Sequence, residues 1–294
     1  MATSRSALVL AVLALSLPAA PPGAAAAPAT FDYYLLEQSW LPEFCTGTVA
    51  RKPTQMPHPE CRDVETRFGA SHPTVHGLWP QDDEGGYPST CDGSPGCRTG
   101  EACPLDGHQL DDRLVQELED KWMPGYPNLA RHEWIEHGTC TGLDQRAYFA
   151  AVVAVAAKVP AEEIPTEAIG REVDLAALRA WWGEPRAAFL CDRRSGKQFL
   201  SAVRTCWARG ADSTPGARFA CPSNVHDTCA AGEKIVLSHA KNVAEDGPSP
   251  ERPSPPRHGC RKPGQGPPCA TDAGCTATGW LRCARSGCCT NVPK

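Results

Sequence analysis

Two short segments concentrate the groups that exchange protons near neutral pH. HEWIEHGTC, residues 132–140, places two histidines, two glutamates, a tryptophan and a cysteine within nine positions. VHGLWPQ, residues 75–81, adds His76 at a strand end beside Gly77 and a Trp79–Pro80 corner. Zinc chelation through HExxH needs its histidines four residues apart on one helical face. Here they are five apart. At about 100° per residue, His132 and His137 diverge by roughly 140°, whereas Glu133 and His137 differ by only about 40°. That angle argues against a metal and predicts instead a carboxylate one turn from an imidazole, where it fixes the ring and raises its basicity. A lone His/Glu pair on a helix is ordinarily a solvated face. The second cluster makes an acid/base pair, His76 with His137, the more specific reading.

The elements that must hold these groups are legible as patterns. FDYYLLEQSW (31–40), VHGLW (75–79) and QFLSAVRTCW (198–207) are aromatic and β-prone and predict strands. LDDRLVQELEDKW (110–122) carries apolar residues at spacing four behind an acidic start, and AYFAAVVAVAAK (147–158) is alanine-rich; both predict helices. Strands and helices without βα alternation point to an α+β fold. Residues 82–107, with Gly, Pro and three cysteines, predict a long surface loop pinned by disulfides.

The chain has 294 residues and 41% hydrophobic content, enough for a substantial core. Residues 1–27 join one Arg, an apolar run and small residues, the pattern of a secretory signal peptide. No later segment approaches the roughly 20 apolar residues of a membrane span. Sixteen cysteines in an exported chain predict disulfides. The net charge of −5 excludes a broad basic nucleic-acid face, so an anionic substrate must meet local cations. The charge is uneven: residues 246–294 hold seven Lys/Arg against three Asp/Glu. A body at 28–240 is followed by a Pro/Ser-rich linker at 241–259 and a basic six-cysteine module at 260–294, whose ligand the sequence does not name. The remaining ten cysteines lie in the body.

HGLWPQ and HEWxxHGTC, in this order, together with QSWLPEFC (38–45) and Cys191, Cys206, Cys221 and Cys229, resemble the ribonuclease T2 family of secreted, base-nonspecific endoribonucleases. The likeness covers roughly residues 30–235. It implies an antiparallel sheet packed with helices and braced by disulfides. It also implies metal-free cleavage of single-stranded RNA through a 2′,3′-cyclic phosphate that water then opens. By motif position His76 and His137 are the acid/base pair, Glu133 supports chemistry at the phosphate and His132 contacts a phosphate. The resemblance implies the disulfides Cys45–Cys61, Cys191–Cys229 and Cys206–Cys221, and Cys140 with one of Cys91, Cys97 or Cys103. It implies no cofactor; a monomer is expected, and the signal peptide predicts extracellular or periplasmic residence.

Trp79 offers a flat face for base stacking, Tyr87 a weaker one, and Gln81 an amide for a base edge. The chain departs from the family at Glu136, where a lysine usually stands to stabilise charge on the phosphate. Reduced activity, replacement of the cation by Arg131 or another residue, or a Glu136 turned to solvent or protonated at acidic pH are the possible outcomes. A gain in turnover on Glu136→Lys is expected if this position faces the phosphate. The competing readings are a catalytically weakened RNA- or polyanion-binding protein, and an adhesion or carbohydrate-binding protein acting through the C-terminal module. Which histidine acts first as base is not fixed by spacing.

Overall fold

The computed structural model describes residues 29–51, 59–91, 104–106 and 109–240, with the short strands at 282–283 and 289–290. The segments expected as signal peptide and linker, most of the expected six-cysteine module, Cys97 and Cys103 lie outside the described residues. In chain order the elements are β1 (Tyr33–Ser39), α1 (Leu41–Arg51), β2 (Thr74–Gln81), α2 (Asp112–Glu117), α3 (Asn128–Glu136) and α4 (Gln145–Ala156). They continue with β3 (Glu172–Val173), α5 (Leu175–Trp182), β4 (Ala188–Arg194), β5 (Lys197–Arg209), β6 (Pro215–Phe219) and β7 (Ile235–Val236). β8 (Arg282–Cys283) and β9 (Cys289–Thr290) pair antiparallel with each other.

The fold is α+β. The sheet runs β2-β1-β5-β7-β3, with β4 and β6 also pairing with β5. Its pairings are antiparallel except the short β5/β7 contact, which is parallel. The three predicted strand segments fall in β1, β2 and β5. The predicted 110–122 helix begins where Asp111 caps it by accepting from Leu114 N at 2.9 Å. It then widens into a π-helical turn at Leu118–Trp122, burying Leu118 and Trp122. α4 starts at Asp144, which accepts from Ala147 N at 2.7 Å. Among the described residues no helix is long and apolar enough to cross a membrane.

β1 is buried on both faces because β2 and β5 flank it and each face packs. Alternation sends Tyr34 and Leu36 into the main core with Trp134, Tyr148 and Phe149, and sends Tyr33 and Leu35 to a smaller cluster with Cys206. Trp79 packs against that second cluster, and Glu37 continues the same face of β1.

One irregularity of the sheet positions His76. The register pairs Glu37 with Gly77 and Gln38 with Val75, leaving His76 without a partner across β1/β2. Val75 and Leu78 both enter the main core although they are three residues apart. A regular strand would put them on opposite faces; the bulge brings both inward and turns His76 toward Glu37.

Disulfides Cys45–Cys61, Cys191–Cys229 and Cys206–Cys221 are present, and Cys91 is the partner of Cys140. This last bridge ties the end of the exposed 82–91 loop to the turn that follows α3.

Candidate active site

The bulged β2 and the C-terminal end of α3 meet at one place. His76 Nδ1 lies 3.0 Å from Glu37 Oε1, and its Nε2 lies 3.8 Å from Glu133 Oε1. Burial alone would lower the imidazole pKa, but the Glu37 hydrogen bond and the Glu133 charge outweigh it and leave the pKa raised above 6.5. Glu37 is the counterpart: burial pushes it up, while His76 and Arg204 hold it below its ordinary value.

Glu133 is buried and accepts from Trp79 Nε1 at 2.7 Å. Burial raises its carboxyl to about 7, opposed by His76 and the Trp79 bond and reinforced by Glu37 and Glu136. Gly77 makes this contact possible. A Cβ there would sit 2.1 Å from both Glu133 Oε2 and Trp79 Nε1. The Trp79 ring centroid lies 5.4 Å from each of the two imidazoles.

His137 differs from the helical expectation. The 40° argument places Glu133 beside it, yet α3 ends at Glu136 and His137 has φ −125° and ψ −48°, outside the helix. Only the backbones remain coupled, His137 N donating to Glu133 O at 3.1 Å. The Glu133 side chain instead accepts from Trp79 through Oε2 and faces His76 through Oε1 at 3.8 Å. His137 Nδ1 is buried with no hydrogen-bond partner among the described residues. Burial, with His132 and His76 adding positive charge against the pull of Glu136, lowers this imidazole to about 4. One site thus contains one imidazole that favours its proton and one that sheds it.

The other predicted residues gather around this pair to different degrees. His132 is exposed and shares with His76 a groove of about 380 Å³, whose walls include Leu41, Phe44, Val75 and Tyr126. Tyr87 is 58% exposed, with its ring 5.6 Å from that of His137. Gln81 donates its amide to Pro80 O at 3.0 Å, so one hydrogen of that amide is already engaged. Glu136 Oε2 accepts from Ser89 Oγ, and Glu136 O from Thr90 N. Arg131 is exposed on α3. Among the described residues no group of three or more His, Cys, Asp or Glu side chains could hold a metal ion.

Sequence reasoning missed Glu37 and Arg204. Each is a charge inside a strand predicted to be apolar, and two such charges of opposite sign are the signal of a buried pair.

The fold brings two imidazoles, His76 and His137, and two carboxylates, Glu37 and Glu133, into one place. Residues 31–215 match the Ribonuclease T2 family, and the chain belongs to it. It is 36% identical over 120 residues to a ribonuclease of Aeromonas hydrophila, covering 40% of this chain and 41% of that protein. Over 206 residues it is 27% identical to ribonuclease I of Escherichia coli (strain K12), covering 59% and 74%. Extracellular ribonuclease LE of Solanum lycopersicum is 30% identical over 132 residues, 40% of this chain and 47% of that protein. The chain thus spans under half the length of the first and third of these relatives. The fold resembles the crystal structure of RNase NT in complex with 5′-AMP, with TM-score 0.52 and 21% identity over 71% of this chain and 99% of that one. Human RNase T2 gives 0.50 and 16% over 72% and 100%.

Proposed function

We propose that this protein is an exported endoribonuclease that cleaves single-stranded RNA with little base specificity. The reaction is transphosphorylation to 2′,3′-cyclic phosphate ends, followed by hydrolysis, with both protons handled by imidazoles rather than by a metal. The observation that carries this reading is the pair His76 and His137, each 5.4 Å from the Trp79 ring, with oppositely shifted proton affinities.

In this reading neutral His137 takes the proton from the ribose 2′-hydroxyl as that oxygen attacks phosphorus. Protonated His76 gives its Nε2 proton to the departing 5′-oxygen, and the cyclic phosphate forms as the P–O5′ bond breaks. Hydrolysis runs the transfers in reverse: His76 takes a proton from water, and His137 returns one to the 2′-oxygen. Glu133, protonated below about pH 7, donates a hydrogen bond to a non-bridging phosphate oxygen. His132 contacts the phosphate at the mouth of the groove. Trp79 and Tyr87 supply faces for a base without reading its edges, which suits low base specificity. Gln81 is a base-edge contact through its carbonyl oxygen and its second amide hydrogen.

The N-terminal apolar segment and the disulfides support export to an extracellular or periplasmic space. The six-cysteine module at 260–294 is proposed as a separate targeting unit on a Pro/Ser-rich linker, and the catalytic body as a monomer.

The test is incubation of the full chain with single-stranded RNA homopolymers in the presence of chelator. Cyclic phosphate ends, lost in His137→Ala, are the expected products. Bound but intact RNA, or cleavage that chelator abolishes, overturns the reading.

A further inference from the structure

Glu37 is the one carboxylate on the face of β1 that also carries Tyr33, Leu35 and Ser39; it is 8% exposed, and both its oxygens are taken. Oε1 meets His76 Nδ1 at 3.0 Å; Oε2 accepts from Arg204 Nε at 2.7 Å. The ladder aligns the three groups, pairing Glu37 with Arg204 on one side and with Gly77, next to the bulged His76, on the other. A buried carboxylate is costly unless its lone pairs are matched, and here two strands are spent on matching it. The spare nitrogen of His76 then follows. With Nδ1–H committed to Glu37, Nε2 is the atom directed at Glu133 and, by the ring's geometry, the one available for exchange.

We propose that Glu37, backed by Arg204, is a positioning residue that fixes the ring and tautomer of His76, making Nε2 the nitrogen that exchanges a proton with the substrate. This role rests on the ribonuclease reading, but the tautomer does not. Glu37 touches neither phosphate nor base; it acts through His76. The groups facing His76 are Glu37 from β1, Arg204 from β5, Glu133 from α3 and His137 just beyond it, with His132 across the groove. Of these, Glu37 and Glu133 favour the imidazolium and Arg204 opposes it.

The experiment is nitrogen-15 and proton NMR of the histidines in the full chain, with kcat against pH on RNA. In the unsubstituted protein above its titration, His76 is expected to carry its proton on Nδ1; an Nε2–H tautomer overturns the proposal without any variant. In Glu37→Gln the His76 midpoint is expected to fall by about one pH unit or more, the ordinary effect of losing an adjacent opposite charge. The alkaline limb of kcat should move by the same amount with KM unchanged, and Glu37→Asp should restore part of the shift. A purely structural Glu37 lowers stability and leaves both midpoint and limb in place, which overturns the proposal. Failure of the unsubstituted protein to cleave RNA instead removes the ribonuclease reading, while the tautomer still decides what Glu37 does to His76.

Discussion

Glu136 Oε2 accepts a hydrogen bond from Ser89 Oγ at 2.8 Å, and the Glu136 carbonyl accepts from Thr90 N at 3.1 Å. Glu136, at the position where the family resemblance leads one to expect a lysine, is therefore a clasp for the loop bearing Tyr87. Its charge still reaches the site, raising both Glu133 and His137. Glu136→Lys exchanges that clasp for a cation. At about 5 Å and an effective dielectric near 20 a unit charge is worth roughly 3 kcal/mol, and partial exposure reduces this to about 1. The expected result is a rise in kcat of roughly three- to tenfold at neutral pH, together with a higher KM. Ser89→Ala should raise KM alone. Steady-state kinetics on a homopolymer check both, and an unchanged kcat in Glu136→Lys means the site does not sense this position.

The two shifted groups make opposing demands on stability. Between pH 4.5 and 6.5 folded Glu133 holds a proton that the unfolded chain has lost, so its contribution falls as pH rises. In the same window folded His137 has shed a proton that the unfolded chain binds, so its contribution rises. Each slope is at most about 1.4 kcal/mol per pH unit. Glu37, held low, acts below 4.5, and His76, held high, acts above 6.5, so neither enters this window. Urea midpoints should be nearly flat with pH for the unsubstituted protein, rise in Glu133→Gln and fall in His137→Asn. Parallel curves for all three would refute the cancellation.

Gly77→Ala drives a methyl into the Trp79–Glu133 hydrogen bond. Overpacking of this kind costs about 1–3 kcal/mol, and it displaces the carboxyl that the proposed mechanism directs at the phosphate. We expect kcat to fall on the order of 100-fold in protein that still melts cooperatively. Activity within threefold of the unsubstituted chain would show that the contact is dispensable.

Cys91–Cys140 closes 49 residues and Cys191–Cys229 closes 38. Loop-closure entropy assigns each about 4 kcal/mol, so paired Cys→Ser replacements should destabilise similarly. Only loss of the first bridge frees the loop that carries Tyr87 beside His137. KM should rise several-fold in that variant and stay unchanged in the other, measured well below both melting points.

Much of this arrangement is legible in residue order. The two histidine segments, the strands of β1, β2 and β5 and the helix of α4 carry local signals of type and period. What escaped depends on contacts between distant strands. The angular argument for Glu133 and His137 assumed a helix that continues, but α3 stops one residue short of His137. Glu37 reads as a stray polar residue until the ladder sets it against Arg204 and His76. The bulge had a faint signal in Gly77, since a glycine inside a strand often marks one.

His76 is the residue left over when β2 pairs with β1. Deleting it would let the two strands pair without interruption, so the ladder does not need this residue; what needs it is the Glu37 carboxylate it matches and the proposed reaction. Scaffold and chemistry are therefore written in different letters of the same strand. A lineage could lose the activity at this position and keep the architecture, or drift widely through the surrounding core while keeping the reaction.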